Sequence, residues 1–264
     1  MSAINGYVRS DAAFLLTDGL SYVEGIPQDV NLNKTHRLHG LNAVLSATGP
    51  AQLGEWMSTR LVYKTFDDLI ETADWQIKHF FHRYAREFCN NDAVSCVVLA
   101  GWHEKEDRPA IYSLELETAD SPKALLVKKN AGLFEEKHVA VSLRELSIIA
   151  MPPPSREEFR DAGFDLIADP EKVNPESYLL HCMEIQRRKR FDGRHVVGGL
   201  AVLATITATG VEQQVVHVWP EDQPGKRIEP APIDWSAWRA ERADASTWSP
   251  VAAAAGAAIT GPGR

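Results

Sequence analysis

The chain has 264 residues, of which 44% are hydrophobic and 24% charged, with a formal net charge of −8. That length accommodates one large domain or two small ones, and the acidic balance argues against a general nucleic-acid or anionic-membrane surface. With no apolar run of membrane-spanning length and no charged-then-apolar leader, the expected location is the cytoplasm.

Ile4 to Val8 and Ala12 to Thr17 read as strands around a polar turn at Arg9-Ser10-Asp11. Gly25-Ile26-Pro27 marks a loop, and Lys34 to Leu38 with Leu41 to Ala47 forms a second strand pair around Gly40. Two helices are predicted next. The first runs from Pro50 to Tyr63, with Leu53, Trp56, Met57 and Leu61 on one side. The second starts after Thr65, a hydroxyl cap followed by Asp67 and Asp68, which suit the positive end of a helix. Its apolar positions repeat at helical spacing from Leu69 to Phe88, and Asn90-Asn91-Asp92 stops it.

Ala93 to Gly101 and Ala110 to Glu117 read as strands joined by a charged turn, and Ala124 to Val127 as a third strand. Val139 to Met151 fits either strand or helix. Beyond Pro152-Pro153-Pro154, Ser155 and Glu158 carry a capping-box pattern, and Asn174-Pro175-Glu176 starts a helix reaching Arg190. Val196 to Thr207 and Val211 to Trp219 form a closing hairpin. From Pro220 onward the chain is rich in Pro, Ala and Gly, with Trp235, Trp238 and Trp248 as surface anchors. Strands, two helices, strands, helix and strands suit two sheets packed between helical layers.

Other residues carry bland readings. Cys89, Cys96 and Cys182 are an odd number without metal-site spacing, so reduced buried thiols are expected, with no metal and no cofactor. His79 and His82 lie three apart on one helix without an evident third ligand, which favours ordinary helix surface. Arg187-Arg188-Lys189-Arg190 reads as a solvated helix end, and Gly198-Gly199 as close backbone packing or a bulge.

The element order and several local runs resemble the proteasome beta-subunit family of N-terminal nucleophile hydrolases. The runs are Phe14-Leu15-Leu16-Thr17-Asp18, Lys34-Thr35-His36-Arg37-Leu38 and Ala47-Thr48-Gly49, with Ser2, Asp18 and Lys34 at intervals of sixteen (18 − 2 and 34 − 18). The resemblance covers roughly residues 2–132 and 174–220. It implies an α+β fold, a four-layer α-β-β-α sandwich of two antiparallel sheets. It places the domain at 1–222, with 133–173 as a variable insertion and 223–264 as a Pro/Ala/Gly-rich extension.

The same resemblance implies Ser2 as nucleophile, Asp18 and Lys34 as its partners, and backbone N–H groups at Thr48 and Gly49 as the oxyanion site. An α-amine of unperturbed pKa about 8, exposed by methionine removal, would serve as general base. The sequence departs from the family pattern in its serine nucleophile and in two supporting motifs. Asn130-Ala131-Gly132 and Arg194-His195-Val196-Val197-Gly198-Gly199 replace them, leaving Asn130 and Asp192 as candidate supports.

Two functions follow as expectations. One is a peptidase or amidase working as a homo-oligomer, a ring or stacked rings, on a peptide or amide substrate. The other is a catalytically inactive subunit of a ring, particle or larger complex. Neither involves nucleic acid or a membrane.

Overall fold

A computed structural model describes residues 2–89, 93–117, 142–164 and 170–243. The predicted elements at Ala124 to Val127 and Asn90-Asn91-Asp92 lie outside the described residues, as does Asn130.

The fold is mixed α+β and its sheets are antiparallel. In the first five-stranded sheet, β1 (Ile4–Val8) and β2 (Ala13–Asp18) are central, with β11 (Leu200–Thr207) and β12 (Gly210–Val218) on one side and β10 (Ile148–Met151) on the other. The second holds β5 (Thr35–Arg37), β6 (Ala43–Ala47), β7 (Val94–His103), β8 (Arg108–Glu117) and β9 (Arg144–Leu146) in that order. A separate two-stranded ribbon pairs β3 (Ser21–Val23) with β4 (Ile26–Asp29).

Side-chain alternation along the strands builds three apolar layers. On β2, Ala13 and Leu15 join Val44, Val98, Ile111 and Ile206 between the two sheets, while Phe14 and Leu16 face the opposite way. The outer face of the second sheet is covered by α1 (Leu53–Ser58) and α2 (Phe66–Phe88) through Leu53, Met57, Leu69, Ile77 and Phe81. The outer face of the first is covered by α4 (Pro175–Arg188) through Tyr178, Leu179 and Met183. Each central strand is therefore buried on both faces, and β2 is buried throughout.

The three helix starts follow the sequence. Thr65 Oγ1 accepts from Asp68 N–H at 3.0 Å, and Asn174 Oδ1 accepts from Ser177 N–H at 2.9 Å. Ser155 and Glu158 close both bonds of a capping box at the start of α3 (Arg156–Asp161).

Other boundaries differ. The first helix stops at Ser58 instead of reaching Tyr63. Residue 62 is held instead by Gln76, whose amide accepts from Val62 N–H at 2.8 Å and donates to Val62 C=O at 2.9 Å. The predicted loop at Gly25 is the turn of the β3–β4 hairpin, where Glu24 and Gly25 take φ of 51° and 77°, the left-handed pair that a two-residue turn requires. Of the predicted Val139 to Met151 element, the described residues from 142 on carry strand: β9 pairs with β8, and β10 pairs with β1. Thus residues 144–151 of the expected insertion supply an edge strand to each sheet and carry the chain between them.

The solvated helix end is corrected at one residue. Arg187 is 1% exposed. It lies in a fork–fork pair with Asp222, at 2.6 and 2.8 Å, and donates to Val197 C=O at 3.1 Å. The expected extension is likewise folded onto the body over part of its length. Ile228 is buried, and α5 (Trp235–Ala243) lays Trp238 against the apolar layer under α4.

Candidate functional site

Asp18 ends β2, opposite Ala201 of β11, and Lys34 immediately precedes β5 in the other sheet. Their side chains meet where one end of the first sheet approaches the second. Lys34 Nζ donates to Asp18 Oδ1 at 2.8 Å, with side-chain exposures of 5% and 0%. The hydroxyls of Thr17, one residue before Asp18, and Thr35, one residue after Lys34, lie 3.0 Å apart and reinforce the same crossing. Ser46 Oγ donates to Lys34 C=O at 2.9 Å, which fixes the lysine backbone.

Both carboxylate oxygens of Asp18 are occupied. Oδ1 accepts from Ala3 N–H at 2.8 Å as well as from Lys34. Oδ2 accepts from Leu20 N–H at 3.3 Å and from Gly198 N–H at 3.5 Å. Ala3 is the residue that follows Ser2, so standard backbone lengths place Ser2 Cα within about 5 Å of that carboxylate. Ser2 is 7% exposed. The structure thus brings the Ser2, Asp18 and Lys34 region together around one carboxylate. A buried ion pair needs this kind of saturation, because each unpaired lone pair away from water carries a desolvation cost.

Thr48 and Gly49 follow β6 directly, two and three residues past Ser46, the partner of Thr35. Thr48 N–H donates to Cys96 C=O at 2.9 Å, and Thr48 Oγ1 accepts from Cys96 N–H at 2.8 Å. Its amide is therefore engaged in extending the sheet ladder and does not stand open for an oxyanion. Gly49 has φ of 95°, and a Cβ there would meet Val94 O at 2.5 Å, so the position requires glycine. Asp192 sits exposed in the turn between Phe191 and Arg194, away from any bond to Asp18 or Lys34. Its expected support is replaced by the backbone of Gly198.

That backbone is pressed into place. Gly199 has φ of 80°, and a Cβ on it would meet Val30 O at 2.2 Å; one on Gly198 would meet Asp222 Oδ2 at 2.2 Å. Gly199 N–H donates to Asp222 Oδ2 at 2.7 Å, the carboxylate that Arg187 also grips. The Gly-Gly pair is therefore the close backbone packing read from sequence. It connects the Arg187–Asp222 pair to the amide that faces Asp18.

Sequence reasoning missed a second buried polar chain. His103 Nδ1 lies 2.9 Å from Asp67 Oδ1, and its Nε2 lies 2.8 Å from the Tyr112 hydroxyl. Asp67 also accepts from Glu104 and Lys105 N–H at 3.0 and 3.3 Å. Burial raises the Asp67 pKa, but the bonds from His103 and these amides outweigh it and hold the carboxyl down to about 2. An Asp in the first turn of a helix is common enough that nothing in the sequence marked it as buried.

The three cysteines are free thiols, and burial pushes both Cys96 and Cys182 up to about 12. Among the described residues no group of three or more His, Cys, Asp or Glu side chains is arranged to hold a metal, and no helix is long and apolar enough to cross a membrane. No protein-family model matches the chain, and no curated protein sequence matches it significantly.

Proposed function

We propose that this chain is an N-terminal nucleophile hydrolase, a peptidase or amidase of proteasome-like fold acting as a homo-oligomer, with Ser2 as nucleophile. One observation carries the reading: Asp18 Oδ1 binds Lys34 Nζ and Ala3 N–H at once, tethering the Ser2 end of the chain beside a buried ammonium. The sequence of apolar layers, helix against sheet, sheet against sheet and sheet against helix, supports a four-layer α-β-β-α sandwich of the same superfamily.

With Met1 removed, the free Ser2 amine takes the hydroxyl proton as Ser2 Oγ bonds to the substrate carbonyl carbon. The tetrahedral adduct collapses with cleavage of the C–N bond, and the proton passes from the ammonium to the leaving amine. Water then hydrolyses the ester, restoring the hydroxyl. The Lys34 charge, held by Asp18, disfavours a second positive charge nearby and keeps the Ser2 amine in its basic form. Intact-mass measurement tests this together with an acylating probe: a mature chain starting at Ser2, labelled there, and silent after Ser2→Ala is expected. An active preparation that retains Met1 would sink the reading.

A second reading, a catalytically inactive assembly subunit, is favoured by the engaged Thr48 amide and by the position of Asp192. It predicts an unlabelled Ser2 in a stable oligomer. The probe separates the two readings, since a labelled Ser2 contradicts the second, and light scattering checks the oligomer that both expect.

A further inference from the structure

A cleft of about 280 Å³ opens where α5 lies across the N-terminal half of α4. We propose that it binds a small aromatic carboxylate, with the ring between aromatic walls and the acid against Arg239 and Arg242. None of the cleft residues bonds to Asp18 or Lys34, so the proposal stands apart from the Ser2 chemistry.

The walls are aromatic and already ordered. Phe164, Tyr178, His181 and Trp238 line the cleft. Phe164 stacks on His181 at 4.7 Å between ring centroids, with 24° between planes, and packs on Tyr178 at 4.7 Å. Trp235 covers the His181 ring at 5.0 Å and 25°. The volume lies near the lower end for small-molecule sites, about 300 Å³, which suits one ring with a short side chain.

Two polar atoms here lack partners. His181 Nε2 and Trp238 Nε1 are both buried without a hydrogen bond, and His181 as a whole is 5% exposed. An unmet buried polar atom is uncommon in native proteins, and a ligand is one recognised cause. Burial and the Arg239 charge push His181 down, a bond to Ala162 C=O opposes them and Arg242 adds to the lowering, to about 4. Its ring is therefore neutral near pH 7, with its proton on the nitrogen facing Ala162 and Nε2 left as an acceptor for a ligand N–H.

Charge selects an acid. Arg242 lies over the Trp238 ring at 3.4 Å from the centroid and donates to Trp238 C=O at 3.2 Å. Arg239 donates to Ala162 C=O. A guanidinium carries five N–H donors, so both retain donors for a planar carboxylate. The neighbouring acids are Glu241, 3.3 Å from Arg242, and Glu176, whose pKa is raised by burial and lowered by Arg242. Together they offset part of the positive charge and favour a monoanion over a phosphate dianion.

The test titrates the full chain with benzoate, phenylacetate and indole-3-acetate, using benzamide and phenylacetamide as neutral controls, by calorimetry and by NMR of the His181 ring protons. At least one acid should saturate at a single site and shift those protons, with its amide weaker by about tenfold. Arg242→Gln and Arg239→Gln should each weaken the acid by about five- to tenfold, and His181→Phe should weaken indole-3-acetate, whose ring N–H can donate to Nε2, while keeping the aromatic wall. Absence of saturation by all three acids overturns the proposal, as does equal binding of the amides or full indole-3-acetate affinity in a folded His181→Phe chain. Should a variant fail to fold, the wild-type His181 shifts decide alone. A tripeptide ending in a free Phe carboxylate that binds where the small acids do not would also overturn it, in favour of a peptide terminus.

Discussion

Lys34 and Asp18 form a buried ion pair that joins the two sheets at 2.8 Å. Because neither side chain meets solvent appreciably, removing one partner strands the other. Lys34→Met and Asp18→Ala should each destabilise the fold by about 3–5 kcal/mol, and the double variant by clearly less than their sum. Chemical denaturation of the four proteins measures this coupling. Additive losses would mean that the pair is solvated or broken in solution.

The neighbouring Arg187–Asp222 pair holds the Gly198–Gly199 backbone against Asp18. Arg187→Ala leaves Asp222 buried beside Gly199 and should cost about 3–5 kcal/mol, whereas Arg187→Met, closer in volume, should cost less. Ending the chain after Pro220 removes Asp222 and Ile228 together, and should be at least as destabilising. A truncation at that point with an unchanged melting temperature would show that the C-terminal segment contributes nothing to the body.

These two pairs show what was legible in the sequence. The helix from Thr65 was legible because its cap, its first-turn acids and its apolar repeat agree. The Ser2–Asp18–Lys34 spacing was visible through resemblance, and the fold brings the Asp18 and Lys34 side chains into contact. The amides of Ala3, Leu20 and Gly198 were not visible, because backbone donors leave no mark on residue identity. Arg187 was misread because a basic run at a helix end normally meets water, and its partner lies thirty-five residues on (222 − 187). The strands β9 and β10, of three and four residues, are too short to show a period. The tail helix hid in a Pro/Ala/Gly-rich segment whose tryptophans were read only as anchors.

The Asp67 cluster pins the start of α2 to the end of β7. Asp67→Ala removes the His103 contact and acceptors for two backbone N–H groups, at about 2–4 kcal/mol, and Tyr112→Phe removes one hydrogen bond at about 1 kcal/mol. The folded Asp67 pKa, about 2, lies below its ordinary value of 3.8. Its stabilisation is therefore present above pH 3.8 and lost as pH falls toward 2. Asp67→Asn should flatten that part of the acid-unfolding curve. A wild-type slope in the variant would place the acid sensitivity elsewhere.

His181 governs a different pH window. Its folded value of about 4 lies below the ordinary 6.5, so between these limits the unfolded chain binds a proton that the folded chain refuses. Stability is therefore full above pH 6.5 and falls as pH drops toward 4, by roughly 2 kcal/mol once solvent screening is allowed for. His181→Phe keeps a ring between Phe164 and Trp235 while removing both the titration and the unpaired nitrogen. The bond to Ala162 C=O goes as well, so stability at pH 7 should change by less than about 1 kcal/mol, while the loss between pH 6.5 and 4 is abolished. Thermal melts across that range measure both effects. A variant that is weaker at pH 7 and retains the slope would show that the imidazole nitrogen is bonded in solution and that another histidine carries the titration.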